Sequence, residues 1–299
     1  MRILSEFDIH FHLPAPTPFV TLLHNHPSLD LQHRFPSDPD ALLLVEHIDN
    51  GASTPIDLNL YRDTFGNRCT RFFAPAGDLR LSGASIVEAP EIPDEIQTEA
   101  TQANIEDLPD DVLQFLLASR YCEVDQMGAI ATDLFGHTTP GWARAIYIRD
   151  WVHNHVRFDY KSARPTKTAL DVFTERVGVC RDFQHLAITL SRALNIPSRY
   201  VTGHLGDIRH PYSGAGDFSA WYEVFLSDRW WTMDARHNDP RFGRILMAAG
   251  RDATDVAITT TFGLANLTYF YVESNEVDPE GNKLPVPGTP ETIPTYRIA

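Results

Sequence analysis

The sequence predicts two lobes of different class: an antiparallel β-sandwich, then a lobe that opens with helices and closes with strands. Three observations carry this. At 299 residues the chain exceeds what one small core organises, taking roughly 150 residues per domain. Hydrophobic patterning changes from strand-like to helical after Leu108-Pro109,. Between the two regimes, over residues 88–111, the chain turns acidic and proline-containing, as a linker does,.

In the first regime the β-prone pieces IHFHL, ALLLVEHID, DLNLYRD and NRCTRFFAP are separated by Pro, Gly and Asn, with no helical run among them,. LNLYRDTFGNRCTRFF reads as a hairpin, because Phe65-Gly66-Asn67 supplies a turn able to take positive φ,. In the second regime Trp142, Ala145, Ile146, Ile148 and Val152 form an apolar helical stripe,. Phe183, Leu186, Ala187, Leu190 and Leu194 mark another helix that ends before Ile196-Pro197,. SRYVTGHL is strand-like, DFSAWYEVFL and RWWTMDAR form a hairpin around Ser227-Asp228, and NLTYFYVESNEV is a late strand,. The expected domains are therefore residues 1–108 (β-rich, with the acidic linker), 109–277 (the core) and a Pro-rich arm over 278–299, extended or poorly ordered,.

Composition narrows the function. Forty acidic residues against 25 Lys and Arg give a net charge of −15, which repels nucleic acid and anionic membrane surfaces. The three cysteines, Cys69, Cys122 and Cys180, are widely spaced without CxxC or Cys/His metal spacing, so no disulfide scaffold, metal site or cofactor is expected. No stretch approaches the ~18 apolar residues of a membrane span. The first residues, interrupted by Glu6, Asp8 and prolines, do not read as a signal peptide, and the expected compartment is a reducing cytoplasm.

The chemistry concentrates at Gly178-Val179-Cys180-Arg181-Asp182-Phe183. A turn glycine followed by Cys at a helix start puts the thiol where unpaired amides and the helix dipole favour an anion. That position is expected to lower the thiol pKa toward neutrality and to offer an oxyanion hole. The competing reading is a buried small hydrophobe.

GVCRDFQHLAITLSRALNIPSRYVTGHL, followed by the DxxAWxEVF strand and WWTMDA, resembles the core of the transglutaminase-like superfamily, in its papain-like bacterial branch, over about 120–263. The resemblance implies an α+β fold with a papain-like core: a nucleophilic Cys on a helix, and a His and an Asp on successive strands of an antiparallel sheet. It implies a cysteine peptidase, amidase or acyltransferase acting on a peptide or protein substrate without a cofactor. Position by position, Cys180 is the nucleophile and Asp234 the orienting acid, while the place of the His is held by Ser219.

Ser219 cannot act as the base, since a hydroxyl neither titrates near neutrality nor carries positive charge. Three histidines are candidate substitutes. His237 would face position 219 if the hairpin loop had three residues, whereas a two-residue loop sets Ser219 beside Asp234,. His204 and His210, on and after the preceding strand, are looser candidates. A Ser219 nucleophile lacks a neighbouring base. If no base serves, the alternative is a catalytically impaired module that binds peptides or acts as a scaffold.

Other features have milder readings. Arg181 and Asp182 form a helix-start ion pair or bind a substrate carboxylate, and Trp221, Trp230 and Trp231 line a cleft or fill core,. The pairs His10/His12 and His24/His26 lack a third metal ligand, and His153/His155 do not share a helix face,. His185 is expected to point away from the thiol. Arg236, Arg241, Arg244 and Arg251 form a basic rim or pair with Asp239, Asp252 and Asp255.

Overall fold

The computed structural model describes residues 1–290. Its N-terminal strands form two antiparallel sheets. The first contains β1 (Arg2–Leu13), β3 (His33–Phe35), β4 (Leu43–Asp49), β5 (Ala52–Pro55), β8 (Gly77–Glu88) and β16 (Asn266–Val277), in the order β16-β1-β8-β4-β5 with β3 also on β8. The second orders β15 (Thr259–Thr261), β2 (Thr17–Thr21), β7 (Arg68–Ala74) and β6 (Asn59–Arg62) as β15-β2-β7-β6. Side chains alternate along β1, so Phe7, Ile9, Phe11 and Leu13 all turn inward,. They meet Phe19 and Phe72 of the facing sheet, whose rings stack at 5.1 Å. This is the expected sandwich.

The late strand β16 pairs with β1 along its length, Arg2 opposite Val277. The sequence placed residues 266–277 with the second lobe; in space they complete the first sheet. Beyond them, 278–290 fold back along β16 rather than extending away. The amide of Leu284 donates to Glu276 O at 2.8 Å, and Lys283 pairs with Glu6 at 2.7 Å while also touching Glu273. The remainder of the predicted arm, 291–299, lies outside the described residues.

The second lobe is α+β. Its helices are α1 (Asp110–Leu113), α2 (Val124–Phe135), α3 (Trp142–His155), α4 (Ala169–Glu175) and α5 (Cys180–Ala193). A short parallel pair, β9 (Arg157–Phe158) with β10 (Val177–Gly178), precedes α5. The main sheet orders β13 (Arg229–Met233), β12 (Phe218–Leu226), β11 (Ser198–His204) and β14 (Ile245–Gly250) as β13-β12-β11-β14. α5 is the central helix. Phe183, Leu186, Ala187 and Leu190 pack against Tyr222, Val224 and Met233 of the sheet, each large side chain worth about 1.5–3 kcal/mol of burial.

The lobes are joined by more than chain. Phe218 and Met247 from the second sheet enter the sandwich core. The acidic linker is fixed by arginines of the second lobe: Asp94 binds Arg244 at 2.9 Å, Glu95 meets Arg229 and Glu91 meets Arg209. Complementary charge thus seats a segment whose composition gives it little apolar surface to bury.

Candidate active site

Cys180 is the first residue of α5, and the turn before it needs a glycine. A Cβ on Gly178 would lie 2.6 Å from the Asp182 Cβ. Asp182 Oδ2 accepts the Val179 amide at 3.0 Å, capping the helix start,. Arg181 binds the same carboxylate at 3.3 Å and donates to Arg164 O at 2.7 Å. Arg181 and Asp182 are therefore engaged in building the turn.

The Cys180 thiol is partly open to two cavities that meet at its position. One, of about 340 Å³, is apolar and includes Tyr200, Thr202, Ala220 and Phe270; the other, of about 770 Å³, includes Arg236, His237, Glu273 and Lys283. Ser219, Phe218 and Asp217 line both. Trp221 lines neither: it is buried, with the Arg244 guanidinium over its ring at 5.1 Å.

The expectation of a thiol poised near neutrality is corrected. Burial pushes the Cys180 thiol up to about 11, and the Asp217 carboxylate pushes the same way. Arg236 and the Arg181 amide favour the thiolate but do not offset them. Low dielectric beside a like charge outweighs the helix start, so the resting sulfur is a neutral thiol.

The β12–β13 hairpin settles the register. Leu226 faces Arg229 across the two-residue turn Ser227-Asp228, both residues having positive φ,. The register that would set His237 opposite Ser219 does not form. His237 reaches the cavity by another route. Asp234 Oδ1 accepts the amides of Arg236 at 3.0 Å and His237 at 3.1 Å, curling the chain back after β13,. His237 Nδ1 then donates to Asp234 Oδ2 at 2.9 Å, leaving Nε2 as the acceptor nitrogen, which takes a hydrogen bond from Arg236 Nη1,.

Asp234 is buried and fully ionised. Burial alone would raise its pKa, but Arg244, at 3.1 Å, and then His237 outweigh burial and hold the carboxyl far below its ordinary range,. Gln184, one helical turn beyond Cys180, donates to Asp234 Oδ1 and to Ala220 O, both at 3.1 Å, and accepts the Ala235 amide. This side chain fixes α5 to both strands.

The other histidines lie elsewhere. His204 is buried with its ring against Phe218 at 5.2 Å, and burial lowers its pKa to about 4. His210 sits on the following loop, bonded to Pro211 O at 2.8 Å and facing Asp207. His185 stacks between Tyr121 and Tyr200, and its Nε2 accepts the Ala253 amide. His10 and His12 each bind a carboxylate, Asp8 and Asp78. The arginines pair: Arg241 with Asp207, Arg244 with Asp94 and Asp234, Arg251 with Asp255. Two of these partners, Asp94 and Asp207, come from segments remote in sequence.

Two residues of the site escaped the sequence reading, although each carries a signal. Gln184 is four residues after Cys180 and shares its helix face,. Asp217 is two residues before Ser219, on the same side of an extended chain,.

A thiol at a helix start, beside an antiparallel sheet with a buried carboxylate just past the end of one strand, defines an α+β protein with a candidate thiol site. Comparison with known proteins agrees. The Transglutaminase-like superfamily model matches residues 128–235. A solved structure from Cytophaga hutchinsonii, provisionally named a cysteine protease, is 30% identical, with a TM-score of 0.79 over 95% of this chain and 93% of that one. An uncharacterized protein of Mycobacterium leprae (strain TN) is 29% identical over 209 residues, 66% of this chain and 73% of the relative. The chain belongs to the transglutaminase-like superfamily.

Proposed function

We propose that the protein is a cysteine hydrolase or acyltransferase that cleaves an amide, in a peptide or isopeptide, through a thioester on Cys180. One observation carries this reading: Cys180 and a histidine oriented by a buried aspartate, His237 on Asp234, face the same cavity. Cys180 Sγ attacks the acyl carbon and its proton passes to His237 Nε2 once Arg236 Nη1 releases that nitrogen; the S–C bond forms and the C–N bond breaks,. In this reading the amides at the start of α5 receive the developing oxyanion. Water or a second amine then resolves the thioester. Asp234 acts through His237, fixing its tautomer,. No cofactor is required by this chemistry.

The test is Cys180→Ala, expected to abolish amide turnover with an unchanged near-ultraviolet spectrum; a folded variant that keeps its turnover refutes the mechanism. A second reading has its own support. Ser219 in the place of the family His, together with a thiol raised to about 11, suits a peptide-binding module without turnover. Reaction of Cys180 with an activated ester at pH 7 separates the two. The enzyme shows burst acylation of Cys180, whereas the module shows none beyond the slow background of an ordinary thiol.

A further inference from the structure

Asp217 is the residue that the mechanism above leaves unused. It lies one residue ahead of β12, lines both cavities beside Cys180, and is the carboxylate acting most strongly on the thiol. The other cavity carboxylates are engaged: Asp207 with Arg241, Glu273 with Lys283 and Tyr271. Among the described residues no cation lies within ion-pair distance of Asp217, and its carboxyl is held by the Phe218 amide. Asp217 is exposed and opens onto the cavity.

We propose that Asp217 is a catalytic residue, the general acid that gives its proton to the leaving amine nitrogen and recovers one from the attacking water. This rests on the reading of Cys180 as nucleophile and His237 as the thiol's base. Electrostatics selects the protonated form. A thiolate beside an ionised Asp217 is opposed by like charge, so the reactive arrangement pairs the Cys180 thiolate and His237 imidazolium with a neutral Asp217. That neutral acid then lines the same cavities as the sulfur where the tetrahedral intermediate forms.

The protons balance. The thiol proton moves to His237; the Asp217 proton moves to the amine as the C–N bond breaks; water adds to the thioester while Asp217 takes its proton; and the expelled thiolate recovers its own from His237. Partial desolvation at the cavity wall raises the Asp217 carboxyl above its ordinary range, with the Phe218 amide and Arg236 opposing, the direction that suits proton exchange nearer neutrality. The titratable groups that share its cavity are Cys180 from α5, Arg236 and His237 from the turn after β13, Tyr271 and Glu273 from β16, and Lys283 beyond, of which Arg236 acts on it most directly. Tyr160, Asp207 and Tyr212 complete the titratable lining.

Asp217→Asn is compared with the parent chain on p-nitrophenyl acetate and p-nitroacetanilide, because nitrophenoxide leaves without a proton and the anilide nitrogen does not. The expected result is a loss on the anilide of about 10²-fold or more, exceeding the loss on the ester at least tenfold. The alkaline limb of the anilide pH profile should also disappear, and the Cys180 alkylation midpoint should fall. Asp217→Glu should restore part of the anilide rate. Equal losses on both substrates, no loss, or a parent chain acylated by the ester yet inert to the anilide would each overturn the assignment. If the ester does not acylate Cys180 even in the parent chain, the nucleophile reading fails first and the acid falls with it.

Discussion

At Asp234 five donors converge on one buried carboxylate: Gln184, Arg244, the His237 ring and two amides. The residue is thus structural as much as it is a partner for His237. Asp234→Asn keeps the volume but leaves Arg244 with Asp94 as its remaining anion. We expect a loss of about 3 kcal/mol, the lower end for breaking a buried pair, read as a fall in the urea midpoint. Turnover should drop further than stability alone explains, since the imidazole loses its preferred tautomer. At this scale the sequence was informative about identity and less so about neighbours. Cys180 and Asp234 stand in recognisable patterns, whereas the approach of His237 depends on a side-chain-capped turn that no spacing rule encodes.

The element that matters most is α5 and the turn that launches it. Gly178→Ala would drive a methyl into Asp182, whose carboxylate caps the helix. The expected cost is about 1–3 kcal/mol, as for other overpacked sites. A lowered thermal midpoint and a changed rate of Cys180 alkylation would register it; a variant with native stability would contradict the close approach. The hydrophobic repeat made α5 and the β12–β13 hairpin readable, because both bury one regular face. β16 was readable as a strand, but its partner was not: NLTYFYVESNEV says nothing about which sheet edge it will close. α2, bounded by weak signals with no side-chain cap at its start, was not anticipated.

Across the whole molecule, buried histidines set the response to acid. Burial holds His24 and His204 at about 4 and His185 at about 3, below the unfolded value near 6.5. Below pH 6.5 the unfolded chain binds protons that the folded chain refuses. Each such group therefore removes up to about 1.4 kcal/mol of stability per pH unit as pH falls toward its folded value. Asp217, raised above its ordinary range, works in the opposite sense and offsets part of one histidine. Asp234, held low, adds a further loss only below about pH 4. The prediction is a lower urea midpoint at pH 5 than at pH 7, with a net change on the order of 3 kcal/mol; an unchanged or higher midpoint would contradict the burial of these rings.

The pairing of β1 with β16 has a consequence for how the chain matures. A growing polypeptide delivers β1 first and β16 only after the entire helical lobe, so one border of the early sheet stays unpaired throughout synthesis. Bare borders of this kind recruit other strands. The nascent protein is accordingly most vulnerable to aggregation just before its last strand emerges, and the final zipper both seals the sandwich and brings 278–290 to the rim of the cavity.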